Sequence, residues 1–220
     1  MKNIAFMPRR PDFTRPQFQQ YYETRHAPLA LQFIRTFVKY TRNHIVQAQP
    51  EVAFDTLSEF WFDHGQTAQA VVEWVQSEAG AVIREDEAQF LDRARVSAFQ
   101  ATESLVAGAA RIVESGPARV EALLFSRPHR PETFAQDLTR IGRDWARRDD
   151  LLRVCLNLGV IAPDSAPPCH AILTGWPRQS HPGTPAGAQA ASMPPGAEAL
   201  GCTHHLVMDC IETPPGLLRD

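Results

Sequence analysis

An excess of positive charge is missing from this chain of 220 residues. Lys and Arg number 22 against 25 Asp and Glu, for a formal net charge of -3. A nucleic-acid surface normally needs a basic patch, so that class of partner is excluded. No apolar run is long enough to span a bilayer, which excludes a membrane-spanning role. The N-terminal sequence MKNIAFMPRRPDF has no signal-peptide core, because Pro8, Arg9 and Arg10 follow almost at once, and the expected location is cytoplasmic. Cysteines are few: Cys155, Cys169, Cys202 and Cys210, all in the second half. Without an export signal they read as buried thiols rather than a disulfide framework. The segment CTHHLVMDC matches no zinc spacing, and a strand would turn Cys202 and His204 one way and His205 the other, so no metal is expected. Also absent are G-x-G-x-x-G, Walker, G-x-S-x-G and H-E-x-x-H motifs. Flavin, nicotinamide and ATP therefore lack support, and no cofactor is expected.

What is present is a hydrophobic content of 44%, enough to bury a core, in a length that suits one large domain or two small ones. Residues 4–7 read as a first strand. Thr14 with Gln17 is a capping-box pair and Pro16 sits in the first turn, so a helix starts near Arg15. Phe18, Tyr22 and His26 share one helix face, and Pro28 predicts an end or kink near His26, followed by a second helical stretch over 29–37. Residues 38–46 read as a strand with Tyr40, Arg42 and His44 on one face. Residues 54–63 read as another, splitting into Asp55, Leu57, Glu59 and Trp61 against Phe54, Thr56, Ser58, Phe60 and Phe62. Helices are predicted over 68–75 and 85–95 and a fourth strand over 99–107. The order β-α-β-β-α-β is that of a ferredoxin-like, or split β-α-β, unit.

The second half repeats this order in weaker form. Setting Phe18 on Phe134 places Tyr22 on Leu138 and His26 on Gly142. FVKYTRNHIV then lies over LLRVCLNLGV, and FDTLSEFWF over CHAILTGWP, matching Trp61 to Trp176 and Glu59 to Thr174. The predicted fold is α+β, with two tandem ferredoxin-like units forming an α+β barrel, the first over 1–115 and the second over 116–220. The stretch 177–200, rich in Pro, Gly and Ala, reads as a flexible surface connection in place of a helix, with a lid as the functional alternative.

Several spaced motifs of the first half belong together: Arg9; Phe18, Tyr22 and His26-Ala27-Pro28; Lys39-Tyr40 and Asn43-His44; Phe54-Asp55 and Ser58-Glu59-Phe60-Trp61-Phe62; and Asp86-Glu87 with Phe90. In this order they resemble the EthD family over roughly residues 4–107. The resemblance implies a dimeric α+β barrel and hence a homodimer. It also implies ether degradation or tailoring of aromatic polyketides among cofactor-independent monooxygenases, cyclases, isomerases and decarboxylases, a choice that fold alone does not make.

Titratable and aromatic groups crowded on adjacent short elements are what a small-molecule site looks like in sequence. His26 is the candidate acid–base, because an imidazole titrates near neutrality; a helix-end histidine in the dipole is the bland alternative. Tyr40 can donate to a phenol or carbonyl oxygen, or be a half-buried strand tyrosine with a satisfied hydroxyl. Asp55 and Glu59 sit ~13 Å apart along an extended strand, too far for a dyad. Asp55 is expected to orient His26 or pair with Arg9 or Arg42, while Glu59, mid-strand between apolar neighbours, is expected to act with His26 and Tyr40. Arg9, Tyr22, His44, Asp55 and Trp61 are expected to contact the substrate, although His44 also suits a satisfied surface site and Trp61 also suits packing. The expected activity is oxidoreductase or tailoring chemistry on a small hydrophobic, oxygenated compound. A non-catalytic carrier and an assembly module are the two other classes.

Overall fold

A computed structural model describes residues 2–62, 68–110, 118–126, 128, 130–149, 151–160, 167–178 and 193–218. The fold is α+β with antiparallel strand pairing, and it divides into two compact units. The first comprises Met1–His44, Ala53–Gln100 and Glu212–Asp220; the second comprises Ile45–Val52 and Ala101–Ile211. Among the described residues no helix is long and apolar enough to cross a membrane. The stretch 177–200, with its alternative reading as a lid, falls mostly outside the described residues.

The first unit opens with β1 (Lys2–Met7) and α1 (Arg15–Tyr21). Thr14 caps α1 as its sequence requires: its side chain accepts from the Gln17 N–H, and the Gln17 carbonyl oxygen accepts from the Thr14 N–H at 2.9 Å. The helix does not stop before Pro28. It passes through a π-helical turn, Tyr22–His26, into α2 (Ala27–Phe33), with the Ala27 N–H reaching back to the Tyr22 carbonyl. A proline has no N–H and its ring crowds the carbonyl four residues earlier, and the wider π turn admits it without ending the helix. Next come β2 (Phe37–Gln49), β3 (Thr56–Phe62), α3 (Ala68–Gln76), α4 (Ala81–Phe90), a short 3-10 turn (Arg93–Arg95) and β4 (Ser97–Gly108), with β2 from Ile45 on and β4 from Ala101 on counted in the second unit.

Strand order in this unit is β4-β1-β3-β2. Thr41 lies opposite Glu59, Tyr40 opposite Phe60 and Arg42 opposite Ser58. Directly opposed residues point to one face, so Tyr40, Phe60, Arg42, Ser58 and His44 share a face that Thr41, Glu59 and Asn43 do not. The helices cover the Tyr40 face. Phe18, Tyr22 and Phe90 pack there with Ala5, Met7, Phe37, Tyr40 and Phe62.

The second unit holds β5 (Ala118–Phe125), α5 (Pro131–Arg148), β6 (Leu151–Val160), β7 (Ala171–Pro177) and β8 (Cys202–Glu212), in strand order β8-β5-β7-β6. Both units thus show the spatial order fourth, first, third, second. Phe134, Leu138, Ile141 and Trp145 recur at helical spacing and sink into Leu123, Phe125, Val154, Leu156 and Leu173. Two glycines permit this close approach. A Cβ on Gly142 would lie 2.9 Å from Val106 Cγ1, and one on Gly175 2.8 Å from Trp145 Cη2. Cys155, Cys169 and Cys210 are buried, and Cys202 is half-buried.

The repeat shows in side chains as well as in order. Lys39 lies over the Trp61 ring, and its counterpart Arg153 lies over Trp176. Asn43 donates to the Leu57 carbonyl, and Asn157 donates across to Thr174. The cation–aromatic positions fill one structural role twice, and both asparagines bond to the neighbouring strand, through different partners. Truncating Trp145 to alanine should cost about 3–5 kcal/mol, the usual penalty for a fully buried large aromatic, read as a lower urea midpoint by far-UV circular dichroism.

Candidate active site

The site is built where the π turn, α2, α3 and α4 stand over the helix-covered face of the first sheet. They leave a cavity of about 420 Å³, within the range of small-molecule sites. Its wall is mostly apolar. Phe37, Tyr40, Phe60 and Phe62 form an aromatic side, with the Tyr40 and Phe60 rings stacked at 4.9 Å. The polar residues in its lining, besides Tyr40, include Asn3, His26, Gln76, Glu87 and Arg93.

His26 ends the π turn and is buried to 5% exposure. Its ring meets Tyr22 and Phe90 at about 5 Å. Nδ1 is 2.7 Å from Asp86 Oδ2, and Tyr21 donates to Asp86 Oδ1 at 2.9 Å. Burial works to raise the Asp86 carboxyl, but the hydrogen bonds from His26 and Tyr21 outweigh it and hold the group below its ordinary range. An ionised Asp86 accepts a hydrogen bond from Nδ1–H, which leaves Nε2 as the ring nitrogen free for a ligand. The next residue, Glu87, lines the cavity and pairs with Arg93 Nε at 3.1 Å. Burial pushes the Glu87 carboxyl up, against the pull of His26 and Arg93.

A second polar group lies deeper on the same sheet face. Arg42 and His44 both engage Glu23, His44 Nε2 at 2.6 Å, and Thr56 Oγ1 meets His44 Nδ1 at 2.7 Å. Burial would raise Glu23, but its bonds to His44 and Arg42 hold it below the ordinary carboxylate value. The Tyr40 hydroxyl donates to Tyr22 at 3.0 Å, and the Tyr22 hydroxyl meets Ser58 at 2.8 Å. Burial pushes Tyr22 up to about 12 and Tyr40 well above its usual range. Both phenols are therefore neutral, and Tyr40 offers the cavity its ring while its hydroxyl is spent behind the wall.

Of the residues singled out from sequence, His26 and Tyr40 meet at the cavity and Tyr22 stands directly behind it. The others are placed elsewhere. Glu59 lies on the opposite sheet face, paired with Lys2 at 3.1 Å and accepting from Thr41, so it does not join His26 and Tyr40. The cause is parity: Glu59 neighbours Phe60, the residue opposite Tyr40. Trp61 shares that other face, with Lys2 and Lys39 over its ring. Asp55 takes Arg15 Nε at 2.9 Å, the Arg9 amide at 3.0 Å and the Arg9 guanidinium, which is the pairing with Arg9 that burial demands. Asp55 does not orient His26; Asp86 does. His44 belongs to the Glu23 cluster. The sequence reading named Asp86 and Glu87 only within the family motif, with no site role, and it missed Arg93. A signal was there, since Asp86 sits four residues before Phe90 on α4, which places both on one helix face.

Residues 10–94 match the EthD domain family. Among solved structures, an anthrone oxidase-like protein is similar at a TM-score of 0.59 and 10% identity, over 98% of this chain and 92% of that one. A proposed monooxygenase from Fusobacterium nucleatum subsp. nucleatum is similar at 0.53 and 7% identity, over 95% and 91%. Likeness at these identities is one of fold. No curated protein matches the sequence.

The Glu23 cluster yields a stability prediction. Glu23→Gln leaves Arg42 and His44 facing a neutral group and should cost roughly 3 kcal/mol at neutral pH. Glu23 has a depressed value in the folded state. Its contribution is thus complete above the unfolded-state value of about 4.3 and is lost as pH falls through the folded one. The gap between wild type and Glu23→Gln in urea unfolding should close in acid.

Proposed function

We propose that this chain, carrying its EthD domain at residues 10–94, is a cofactor-independent oxidoreductase or tailoring enzyme for a small, hydrophobic, oxygenated compound of aromatic or ether type. The observation that carries the reading is the His26–Asp86 pair at the wall of an apolar cavity. Asp86 fixes the imidazole tautomer and stabilises the imidazolium, so Nε2 can take a proton from an acidic C–H or O–H of the substrate and return it later. The aromatic wall orients a flat substrate by stacking. Proton removal is common to isomerisation, cyclisation and oxidation. In the oxidative case the deprotonated carbon of a methylene group reacts with dissolved dioxygen. One oxygen atom becomes the product carbonyl and the other leaves as water. Tyr40 contributes through its ring, and Glu59 and Trp61 serve the other sheet face.

The same reading takes each unit as ferredoxin-like. Support comes from the shared strand order and from the matched cation–aromatic and asparagine positions. The second unit is a structural copy, since Gly142 closes the place that His26 occupies in the first. A homodimer accompanies this reading, on the resemblance alone.

The test uses anthrone, the compound class named in a fold relative, with oxygen uptake as readout. His26→Ala should lower kcat by about 10²–10⁴. Asp86→Asn should lower kcat with KM little changed, because it acts through His26. Full turnover by His26→Ala sinks the proposal. Tight anthrone binding with no oxygen uptake by the wild type would identify a carrier instead.

A further inference from the structure

We propose that Arg93 is a substrate anchor for a carboxylate and that Glu87 is the counterion it exchanges when an aromatic acid enters the cavity. This deepens the reading above and rests on it for the cavity being a ligand site. Three observations carry it. Arg93 and Glu87 line the same cavity as Phe37, Tyr40 and Phe60. Their contact uses Arg93 Nε, at 3.1 Å from Glu87 Oε2, and the two terminal nitrogens of the guanidinium make no hydrogen bond to the described residues. The fork that suits a carboxylate is therefore left open beside a space that suits a ring. Third, Glu87 is held weakly in its ionised form, since burial raises it despite Arg93 and His26 nearby. A counterion of that kind gives way to an incoming carboxylate at less cost than a strongly ionised one.

The arrangement also gives direction to the site. Asp86 and Glu87 are adjacent on α4, with Asp86 holding His26 and Glu87 holding Arg93. An acid bound at Arg93 would lie with its ring toward Phe37, Tyr40 and Phe60 and within reach of the His26 side of the cavity. Arg93 thus selects an acidic compound over a neutral one of equal size.

The experiment measures binding by calorimetry of 2-naphthoate and of 2-acetylnaphthalene, a neutral analogue of nearly the same shape, to the full chain. Arg93→Gln should weaken 2-naphthoate binding about tenfold, the scale of one charge-assisted pair. Glu87→Gln should tighten it by a similar factor, because the competing carboxylate is gone. The ketone should change little in either variant. Arg93→Lys, which keeps the charge without the fork, should fall between wild type and Arg93→Gln and guards against a folding defect in the latter. A structural ion pair would move both variants in the same direction, and that outcome overturns the proposal. Binding of the ketone with naphthoate indifferent to both changes overturns the anchor while leaving the cavity reading intact. Failure of the folded wild type to bind either compound overturns both.

Discussion

The two-residue period of β2 and β3 is the constraint on which the chemistry of the first unit depends. It sorts ionisable groups onto two faces before any tertiary contact forms. Tyr40, Arg42 and His44 fall under the helices, together with Ser58 and Phe60 across the ladder. Thr41 and Glu59 fall on the other face, where Lys2 joins them. A slip of one residue would exchange the sets and bury Glu59 against Phe18 and Phe90 with no cation to meet it. The sheet register therefore decides which charges need partners and which partners are at hand.

The second determinant is the π turn. A regular helix would present Phe18, Tyr22 and His26 on one stripe, and Pro28 would end it. By widening at Tyr22–His26, the chain keeps its direction into α2 and brings His26 to Asp86 on α4 while Glu23 faces Arg42 and His44. Two residues of one π turn, Glu23 and His26, thus serve a structural charge cluster and a candidate proton-transfer pair. π turns occur often at functional positions because they aim side chains that a regular helix cannot.

How much of this was legible in the sequence can be traced residue by residue. The capping box at Thr14, the face division of both strands and the correspondence of Lys39 with Arg153 and Trp61 with Trp176 follow from local spacing, and the structure has them. Asp55 was expected to orient His26 or to pair with Arg9 or Arg42, and of these it pairs with Arg9. What local spacing could not convey is which sheet face the helices cover. Glu59 and Tyr40 were grouped as one site, although the alternation already separated them once their pairing register was known. Asp86 was named in a motif but given no role, because its partner is distant in sequence: 60 residues separate it from His26. A pair of that kind is fixed by the docking of α4, which no local pattern encodes.

The difference in packing between the units accounts for the cavity over the first sheet. In the second unit α5 presses Leu138, Ile141 and Trp145 onto the sheet, and Gly142 and Gly175 remove the side chains that would hold it off. In the first unit the positions equivalent to Leu138 and Gly142 are Tyr22 and His26, which need hydrogen-bond partners rather than apolar contact. Satisfying them requires Ser58, Tyr40 and Asp86 at set distances, and that requirement keeps the helices from closing fully over the sheet. The α3 helix beside the opening has no fully buried residue among those described and leaves Val72 exposed. Close packing stabilises the second unit. The first gives up part of that packing to polar groups, each with a partner, and the space left over is where a substrate fits.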